Sequence, residues 1–360
     1  RINFLGMPGK VGLGHCRWST HGGVTEENAH PHIDCTSKIS VVHNGIIENY
    51  SELKEELEKK GHKFYSQTDT EVIAHLIEDN LKSGKIEDAV RISLNKIEGS
   101  YALGVLYSEE PDKLIGARNE SPLILGIGKN ENFIASDVPS ILSYTNKVIY
   151  LEDKEIAVLT KNDFKVLDLN GNIKTKEIQL INWSAEAAEK GGYEHFMMKE
   201  IHEQPIAIAN TLNERLRNGD IQFEKEFGLS DDYLKKIKRI IIIACGTSWH
   251  AGLVGKFMLE ELAKIPTDVE YASEFRYRHP LLDNDTLVIA ISQSGETADT
   301  LAALKEAKKL GAMTLAVCNV MGSSITRISD GVIYTRAGPE IGVASTKAFT
   351  TQLSVLYLLT

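Results

Sequence analysis

The sequence predicts an α+β domain in its first half and a doubly wound α/β domain with a parallel sheet in its second half. Up to about residue 180, three helical segments precede a series of short strands, which is the pattern of an α+β domain. From residue 236 onward, strand-length apolar runs alternate with helical segments, which is typical of a parallel sheet. We therefore predict domains over residues 1–180 and 236–360, with residues 181–235 as a connector.

The helices of the first half are predicted from their apolar spacing and their ends. They span Asn49–Lys60, a segment that opens at Thr68–Glu71, and Glu87–Ile97. Asn49 with Glu52, and Thr68 with Glu71, have the spacing of a capping box. Asp69 then has two interpretations, an acid that complements the helix dipole or a carboxylate that binds a substrate amine. The sequence alone favours the first.

The strands of the first half are short and end at turn residues. They are predicted over Ile39–His43, Tyr101–Tyr107, Leu114–Ala117, Leu123–Ile127, Phe133–Ala135, Val148–Leu151 and a hairpin from Ile156 to Ile173 that turns at Asn170-Gly171. Asn44-Gly45 follows the first of these strands. It is either a hairpin turn or a functional loop, because a side-chain amide beside a glycine N–H is the donor pair that an oxyanion hole requires.

In the connector, a helix is predicted from Glu194 to Gln204, with a stop at Pro205 and a second helix over 206–216.

Two strand–turn–helix patterns dominate the second half. Leu287–Ile291 is a buried strand, Ser292–Thr297 a polar turn and Ala298–Leu310 a helix that stops at Gly311. Residues 240–244, 245–248 and 249–263 repeat the pattern. Ligands of parallel sheets bind where strands end and helices begin, and hydroxyls without a lysine or a metal ion favour a phosphorylated sugar over a nucleoside triphosphate. The alternative is that these Ser and Thr residues only cap helices.

Residues 12–22 concentrate polar side chains that are poor core material. The guanidinium of Arg17 can form two parallel hydrogen bonds to a carboxylate, and His15 and His21 flank this residue. This concentration of polar side chains predicts a substrate-binding turn.

Composition excludes several classes of protein. With 42% apolar residues, 25% charged residues and a net charge of -10, the sequence predicts a globular protein that does not bind nucleic acid nonspecifically. No membrane-spanning segment and no signal peptide are predicted, so we expect a cytoplasmic location. Cys16, Cys35, Cys245 and Cys318 lack a paired spacing, which predicts neither a zinc ribbon nor a disulfide framework.

In these motifs, the chain resembles the glutamine–fructose-6-phosphate aminotransferases (isomerizing). The first half is similar to their glutaminase domain, an N-terminal-nucleophile fold, and the second half to their first sugar-isomerase (SIS) domain. The motifs that carry the resemblance are Arg17–Gly22, Asn28–His32, His43–Asn49, Thr68–Glu71, Ala272–Arg278, Ser292–Thr297 and Glu340–Lys347.

The resemblance also implies roles for individual residues. In the glutaminase domain, Arg17 grips the glutamine carboxylate, Asp69 binds its amino group, Asn44 and the Gly45 N–H form the oxyanion hole, and Trp18, Thr20 and His21 line the pocket. In the SIS domain, fructose 6-phosphate is held by Cys245, Thr247, Ser248, Ser292, Gln293, Ser294 and Thr297, with Val343 and Ser345 closing the site. The implied substrates are L-glutamine and fructose 6-phosphate. A homodimer is implied, and no cofactor and no metal ion.

The implied nucleophile is an N-terminal cysteine, and the sequence begins at Arg1. The implied isomerase groups belong to a second SIS domain beyond Thr360. We therefore expect the 360 residues alone to bind sugar phosphate without glutaminase turnover. Cys16 is a weak substitute, since an internal cysteine has no free α-amine.

Other interpretations remain open at this stage. One is a sugar-phosphate-binding regulatory protein without amidotransferase activity, and another is a stand-alone glutaminase. A third is a metal site among the histidines at positions 15, 21, 30, 32 and 43, although His21 and His43 more readily orient loops. Cys245 also reads as a small residue at a strand end, and Lys347 as a surface or backbone-bonding lysine.

Overall fold

The computed structural model describes residues 9–17, 21–81, 84–181, 190–213, 215–217, 220–223 and 227–360. The chain divides into two units, Arg1–Asn182 and Trp183–Thr360. Most of the predicted connector therefore groups with the second unit.

The first unit contains three helices and eleven strands in its described part. The helices are α1 (Tyr50–Lys59), α2 (Glu71–Asn80) and α3 (Ile86–Leu94). The strands are β1 (His32–Ile33), β2 (Ile39–Ile47), β3 (Gly99–Tyr107), β4 (Leu114–Asn119), β5 (Ile124–Ile127), β6 (Asn132–Ala135), β7 (Lys147–Tyr150), β8 (Glu155–Leu159), β9 (Phe164–Asp168), β10 (Ile173–Lys174) and β11 (Gln179–Leu180).

These strands form two antiparallel sheets. The larger sheet has the order β1-β2-β3-β4-β8-β9-β10, and the smaller one has the order β11-β7-β5-β6. Side chains alternate along β3, so that Leu103 packs against the helices while Ala102 packs toward the smaller sheet. The large sheet is thereby buried between a helical layer and a second sheet.

Several local predictions for the first unit are wrong. Asn44 and Gly45 lie inside β2, paired with Ala102 and Tyr101, and so they form no hairpin turn. The Asn49 side chain does not cap α1, because it bonds the backbone of Lys96 and Glu98 instead. The predicted 156–173 hairpin contains an additional turn between β8 and β9.

The second capping box is also wrong. The Glu71 carboxylate accepts hydrogen bonds from the backbone N–H groups of Tyr65 and Ser66, at 2.8 and 2.7 Å, rather than from Thr68. Thr70 is the residue at the N-cap of α2, so Asp69 precedes the helix and is not its first acid.

In the second unit, a parallel sheet forms the centre. Its order is β15-β14-β16-β17-β18, from the strands β14 (Arg239–Ala244), β15 (Thr267–Tyr271), β16 (Thr286–Ser292), β17 (Met313–Cys318) and β18 (Gly331–Tyr334). The other elements are α4 (Phe196–Leu212), β12 (Leu216–Arg217), β13 (Asp220–Ile221), α5 (Asp231–Leu234), α6 (Gly246–Met258), a π-helical turn that continues α6 (Leu259–Ala263), α7 (Ala272–Phe275), α8 (Ala298–Lys309), α9 (Ser324–Ile328) and α10 (Lys347–Leu358). The predicted α/β class is confirmed.

The predicted break at Pro205 is wrong, since α4 continues through this residue. A proline has no N–H for the carbonyl four residues earlier, which is that of Ile201. The Gln204 side chain donates to that carbonyl at 3.0 Å. The helix therefore continues without leaving the acceptor unsatisfied.

No helix in the described part of the chain combines the length and the apolar character needed to cross a membrane.

Candidate functional site

In the first unit, Asn44 and Gly45 stand on the extended strand β2. The Asn44 amide is held at both ends: its Oδ1 accepts from His15 Nε2 at 2.6 Å, and its Nδ2 donates to Ser136 Oγ at 3.1 Å. One of the two Nδ2 hydrogens stays available for a ligand oxygen. The amide orientation is therefore fixed by His15 and Ser136, and no sequence motif pointed to Ser136.

Gly45 has a backbone conformation that excludes other residues. Its φ is 132°, and a Cβ atom at this position would overlap the carbonyl oxygen of Ser100 on β3. The close approach of the two backbones accounts for the glycine.

Asp69 is buried and anchored to the same strand. Its Oδ2 accepts a hydrogen bond from the backbone N–H of Ile47 at 2.8 Å. Its Oδ1 lies 3.9 Å from Nδ1 of His21. The Asp69 carboxylate thus contacts β2 at Ile47, two residues after Gly45, and Asp69 itself lies just before the start of α2.

Arg17 donates its hydrogen bonds to the loop that follows it. Nη1 bonds the carbonyl of Gly23 at 3.0 Å, and Nη2 bonds the carbonyls of His21 and Gly22. In this conformation the guanidinium orders the loop. Trp18 and Thr20 lie outside the described residues.

Asn28 ties this loop to the segment before α2. Its Oδ1 accepts from the Gln67 N–H at 2.9 Å, and its Nδ2 donates to the carbonyl of Gly23 at 3.1 Å. Gly22, with φ of 73°, passes so close that a Cβ atom would lie 2.9 Å from Asn28 Nδ2. These contacts hold His21 next to Asp69.

His43 is a buried, neutral histidine. Its Nδ1 lies 3.0 Å from Thr70 Oγ1, and its Nε2 lies 3.3 Å from the carbonyl oxygen of Ser100. Because a carbonyl only accepts, Nε2 carries the proton. Burial lowers the pKa of His43 to about 4, against an opposing influence from Asp69.

His30 also has a lowered pKa. The rings of His15 and His30 stack at 4.5 Å, and burial together with the neighbouring histidines lowers the pKa of His30 to about 3. Among the described residues, these histidines do not form a group that could hold a metal ion.

A cavity of about 1260 Å³ opens beside Asn44 and includes His15, Cys16, His43 and Ser136 in its lining.

The second unit brings its two polar turns together at the reversal of the strand order. β14 and β16 are adjacent and parallel, with Ala244 opposite Ile291. The chain leaves β14 for β15 on one side and returns to β16 on the other. Such a switch point is where doubly wound sheets bind ligands.

A cavity of about 400 Å³ lies between these turns and the loop before α10. Its lining consists of Cys245, Gly246, Thr247, Ser248, Gln293, Ser294, Thr297, Glu340, Gly342, Val343, Ala344 and Ser345. Eight of the nine predicted sugar-phosphate residues are in this set. Among these described lining residues, none is a Lys or an Arg.

Ser292 is the predicted residue outside that lining. It is buried, and its Oγ accepts from the Gly295 N–H at 2.9 Å, so it shapes the turn. Gly295 has φ of 69°, and a Cβ atom there would overlap the Ser323 side chain.

Glu340 is a lining residue that the sequence did not single out as a site residue, although it opens one of the motifs. Its carboxylate accepts from the Ser345 hydroxyl and the Thr346 N–H, both at 2.8 Å, and from the Ala348 N–H at 3.1 Å. The Glu340 carboxylate therefore accepts hydrogen bonds from backbone N–H groups at the N-terminus of α10.

Helix α4 holds the same loop from the other side. The Glu200 carboxylate accepts from the N–H groups of Ile341 and Gly342, at 2.6 and 3.0 Å. Lys347 is buried and pairs with Glu203 at 2.6 Å, so the surface interpretation of this lysine is wrong. Ser248 Oγ accepts from Gln352 Nε2 at 3.0 Å, which joins α6 to α10.

Comparison with known families assigns both units. Residues 15–143 match the glutamine amidotransferase domain, and residues 233–360 match the SIS domain. The α+β first unit thus matches a glutamine amidotransferase domain and the parallel α/β second unit matches a SIS domain, in the predicted order.

Among curated proteins, the chain is similar to two aminotransferases across its whole length. It is 54% identical to glutamine–fructose-6-phosphate aminotransferase (isomerizing) of Clostridium tetani and 56% identical to that of Thermococcus kodakarensis. Both matches cover 100% of this chain and 59% of the relative. The chain spans about three fifths of the length of these relatives.

The chain is also similar to a solved structure, the C-terminal domain of glucosamine-fructose-6-phosphate aminotransferase from Francisella tularensis. The two sequences are 48% identical, the match covers 48% of each chain, and the TM-score is 0.45.

Proposed function

We propose that this chain is the glutamine-hydrolysing part and the first sugar-phosphate-binding part of an enzyme that converts fructose 6-phosphate to glucosamine 6-phosphate. Glutamine supplies the amide nitrogen and leaves as glutamate. The observation that carries the proposal is the cavity at the strand switch point, lined by two hydroxyl-rich turns, in a chain with a glutamine amidotransferase domain.

Glutamine binding is assigned to Arg17 and Asp69, with Trp18, Thr20 and His21 lining the pocket. A buried carboxylate such as Asp69 favours an ammonium group beside it. Arg17 would exchange its bonds to the loop carbonyls for the glutamine carboxylate. Binding of the amino acid and ordering of this loop are then coupled.

Oxyanion stabilisation is assigned to Asn44 Nδ2 and the Gly45 N–H. The amide is already oriented by His15 and Ser136, so little reorganisation is needed when charge develops on the substrate oxygen. Family resemblance implies a thioester on an N-terminal cysteine, a residue that is not among the 360. The described residues bind glutamine and stabilise the developing charge.

Sugar-phosphate binding is assigned to the hydroxyl, amide and backbone donors of Cys245–Ser248 and Ser292–Thr297. Helices α6 and α8 begin at these turns, and the N-termini of helices favour a phosphate dianion. Val343 and Ser345 would close the site above the sugar. The Glu340 carboxylate already accepts hydrogen bonds from Ser345, Thr346 and Ala348. It therefore repels the phosphate electrostatically less than a free carboxylate would.

A binding experiment tests the sugar site. Titration of residues 1–360 with fructose 6-phosphate in a calorimeter should show one site per chain. Replacing Ser294 by Ala should weaken binding about 10- to 100-fold, since a hydrogen bond to a charged group is worth about 1.5–3 kcal/mol. Ser354→Ala, on α10 and outside the cavity lining, is the matched control.

The absence of any heat of binding, or equal affinities in both variants, would reject the sugar site. The amidotransferase activity is tested separately on the longer protein that contains this chain. Glutamine and fructose 6-phosphate should then give glucosamine 6-phosphate. Sugar-phosphate binding without that product would favour a regulatory protein.

A homodimer and a cytoplasmic location are part of the proposal, supported by the family resemblance and by the composition.

A further inference from the structure

Four side chains in the first unit converge at one point beside helix α2. Cys35 comes from the loop after β1, His62 from the segment after α1, and His75 and Glu78 from neighbouring turns of α2. One ligand atom of each lies within 4.8 Å of all the others. The four residues come from three separate segments of the sequence, so no local spacing predicted a metal site.

Four of the six distances between these atoms are close to those of a tetrahedral coordination sphere. Cys35 Sγ lies 3.7 Å from His62 Nδ1 and 3.5 Å from His75 Nδ1. Glu78 Oε2 lies 3.1 Å from His62 Nδ1 and 3.4 Å from His75 Nδ1. Ideal zinc bond lengths at tetrahedral angles give about 3.6 Å between sulfur and nitrogen and about 3.3 Å between nitrogen and oxygen.

We propose that Cys35, His62, His75 and Glu78 bind a zinc ion. One thiolate, two imidazoles and one carboxylate are donors that zinc accepts, and the soft sulfur disfavours magnesium and calcium. Four protein ligands close the sphere, so that the site is structural and leaves no open position for a substrate.

The surroundings support each ligand. His75 Nε2 is buried and lies 3.6 Å from Oε1 of Glu71, which is the carboxylate–histidine arrangement typical of metal sites. Glu71 is itself fixed by the N–H groups of Tyr65 and Ser66. The Lys63 N–H donates to Cys35 Sγ at 3.5 Å, which orients the sulfur atom.

Hydrogen bonding alone accounts less well for the cluster. Glu78 Oε2 would accept from the Cys35 N–H and from the Nδ1 atoms of both histidines at once. Both imidazoles would also direct the same nitrogen at a sulfur atom, which is a weak acceptor. A cation at the centre satisfies all four groups.

The site would fix α2 against two other segments of the unit. Asp69 and Thr70 directly precede α2, and Asp69 bonds β2 while Thr70 bonds His43. Zinc would thus stabilise the support of the proposed glutamine site without contacting a substrate.

Zinc content tests the proposal directly. Residues 1–360 are stripped with a chelator, exposed to Zn²⁺, passed through a desalting column and measured by inductively coupled plasma mass spectrometry. We expect one zinc ion per chain. Cys35→Ser and His62→Gln should each weaken binding by more than about 100-fold, because even an outer-shell partner typically contributes about 10- to 100-fold.

Two matched variants act as controls. Cys16→Ser changes another exposed cysteine, and His195→Gln another histidine that is exposed to solvent. Both should retain wild-type zinc binding. Retention of zinc in all four variants would overturn the assignment.

Cobalt substitution provides a readout that a purely structural role would not change. Co²⁺ in the unaltered chain should give a thiolate-to-cobalt charge-transfer band and the strong visible bands of tetrahedral cobalt. Cys35→Ser should lose the charge-transfer band and Cys16→Ser should keep it. If a variant fails to fold, the spectrum of the unaltered chain decides, and weak octahedral bands without charge transfer would refute the site.

Discussion

The Asp69 carboxylate accepts a hydrogen bond from the backbone N–H of Ile47, with 2.8 Å between Oδ2 and the nitrogen. This contact fixes the segment that precedes α2 to strand β2, two residues after Gly45. Both groups are buried. The proposed amine-binding carboxylate and the proposed oxyanion hole are thereby held on one rigid element.

Asp69→Ala should lower the free energy of unfolding of the first unit by about 1–3 kcal/mol, because it leaves the buried Ile47 N–H without an acceptor. Asp69→Asn keeps an acceptor oxygen and should cost less. Urea denaturation followed by circular dichroism measures the difference. Asp112→Ala, at an exposed position of the same unit, should be close to neutral. Equal stabilities for Asp69→Ala and Asp112→Ala would contradict the role given to this contact.

Gly45→Ala should destabilise the protein by about 2–5 kcal/mol, since the new methyl group combines backbone strain with overlap at the Ser100 carbonyl. Gly12→Ala is a suitable comparison, because a Cβ atom there meets nothing within 4 Å and φ is not in the left-handed region. Thermal unfolding of the two variants separates the effects. The prediction is wrong if both melt at the same temperature.

His43 makes the stability of the first unit depend on pH. Its pKa is about 4 in the folded chain and about 6.5 when unfolded. Between these values the unfolded chain binds more protons, so stability is fully present above about pH 6.5 and is lost as the pH falls toward 4. His43→Gln should flatten the dependence of unfolding free energy on pH in this window. His195→Gln, an exposed histidine variant, should leave the slope unchanged.

The Lys347–Glu203 pair should respond unequally to removal of its two members. Glu203→Ala leaves the buried Lys347 charge uncompensated and should cost about 3–5 kcal/mol. Lys347→Met should cost less, because Glu203 is partly exposed and also lies 3.5 Å from Lys199. Chemical denaturation of the second unit gives both values. Lys309→Met, which removes an exposed pair with Glu306, should cost under about 1 kcal/mol. If Lys347→Met lowered the free energy of unfolding more than Glu203→Ala did, the result would argue against a buried lysine charge.

The sequence alone determined the parallel sheet of the second unit and its two polar turns. Residues 240–244 and 287–291 are uninterrupted apolar runs, which suit only strands that are buried on both faces. The helix after the second turn was also predicted to its end, since apolar spacing and Gly311 are local signals. In the first half, the existence of most helices and strands was predictable for the same reason.

Tertiary contacts decided which local signals were realised. Asn44-Gly45 reads as a turn, yet pairing with β3 keeps both residues in a strand. Asn49 and Glu71 read as helix caps, but backbone groups brought near by the fold compete for their side chains. Pro205 predicts the end of a helix. The side-chain amide of Gln204 instead donates to the Ile201 carbonyl, which Pro205 leaves without a backbone donor, and the helix continues.

The sequence, then, determined the classes of the two domains and the strand ends that carry the hydroxyl groups, because these depend on residue type and local order. The tertiary structure decided that Ser136 orients Asn44, that Glu203 neutralises a buried Lys347 and that Cys35, His62, His75 and Glu78 share one point. Such convergence depends on how distant segments pack, and no local pattern in the sequence encodes the distance between them.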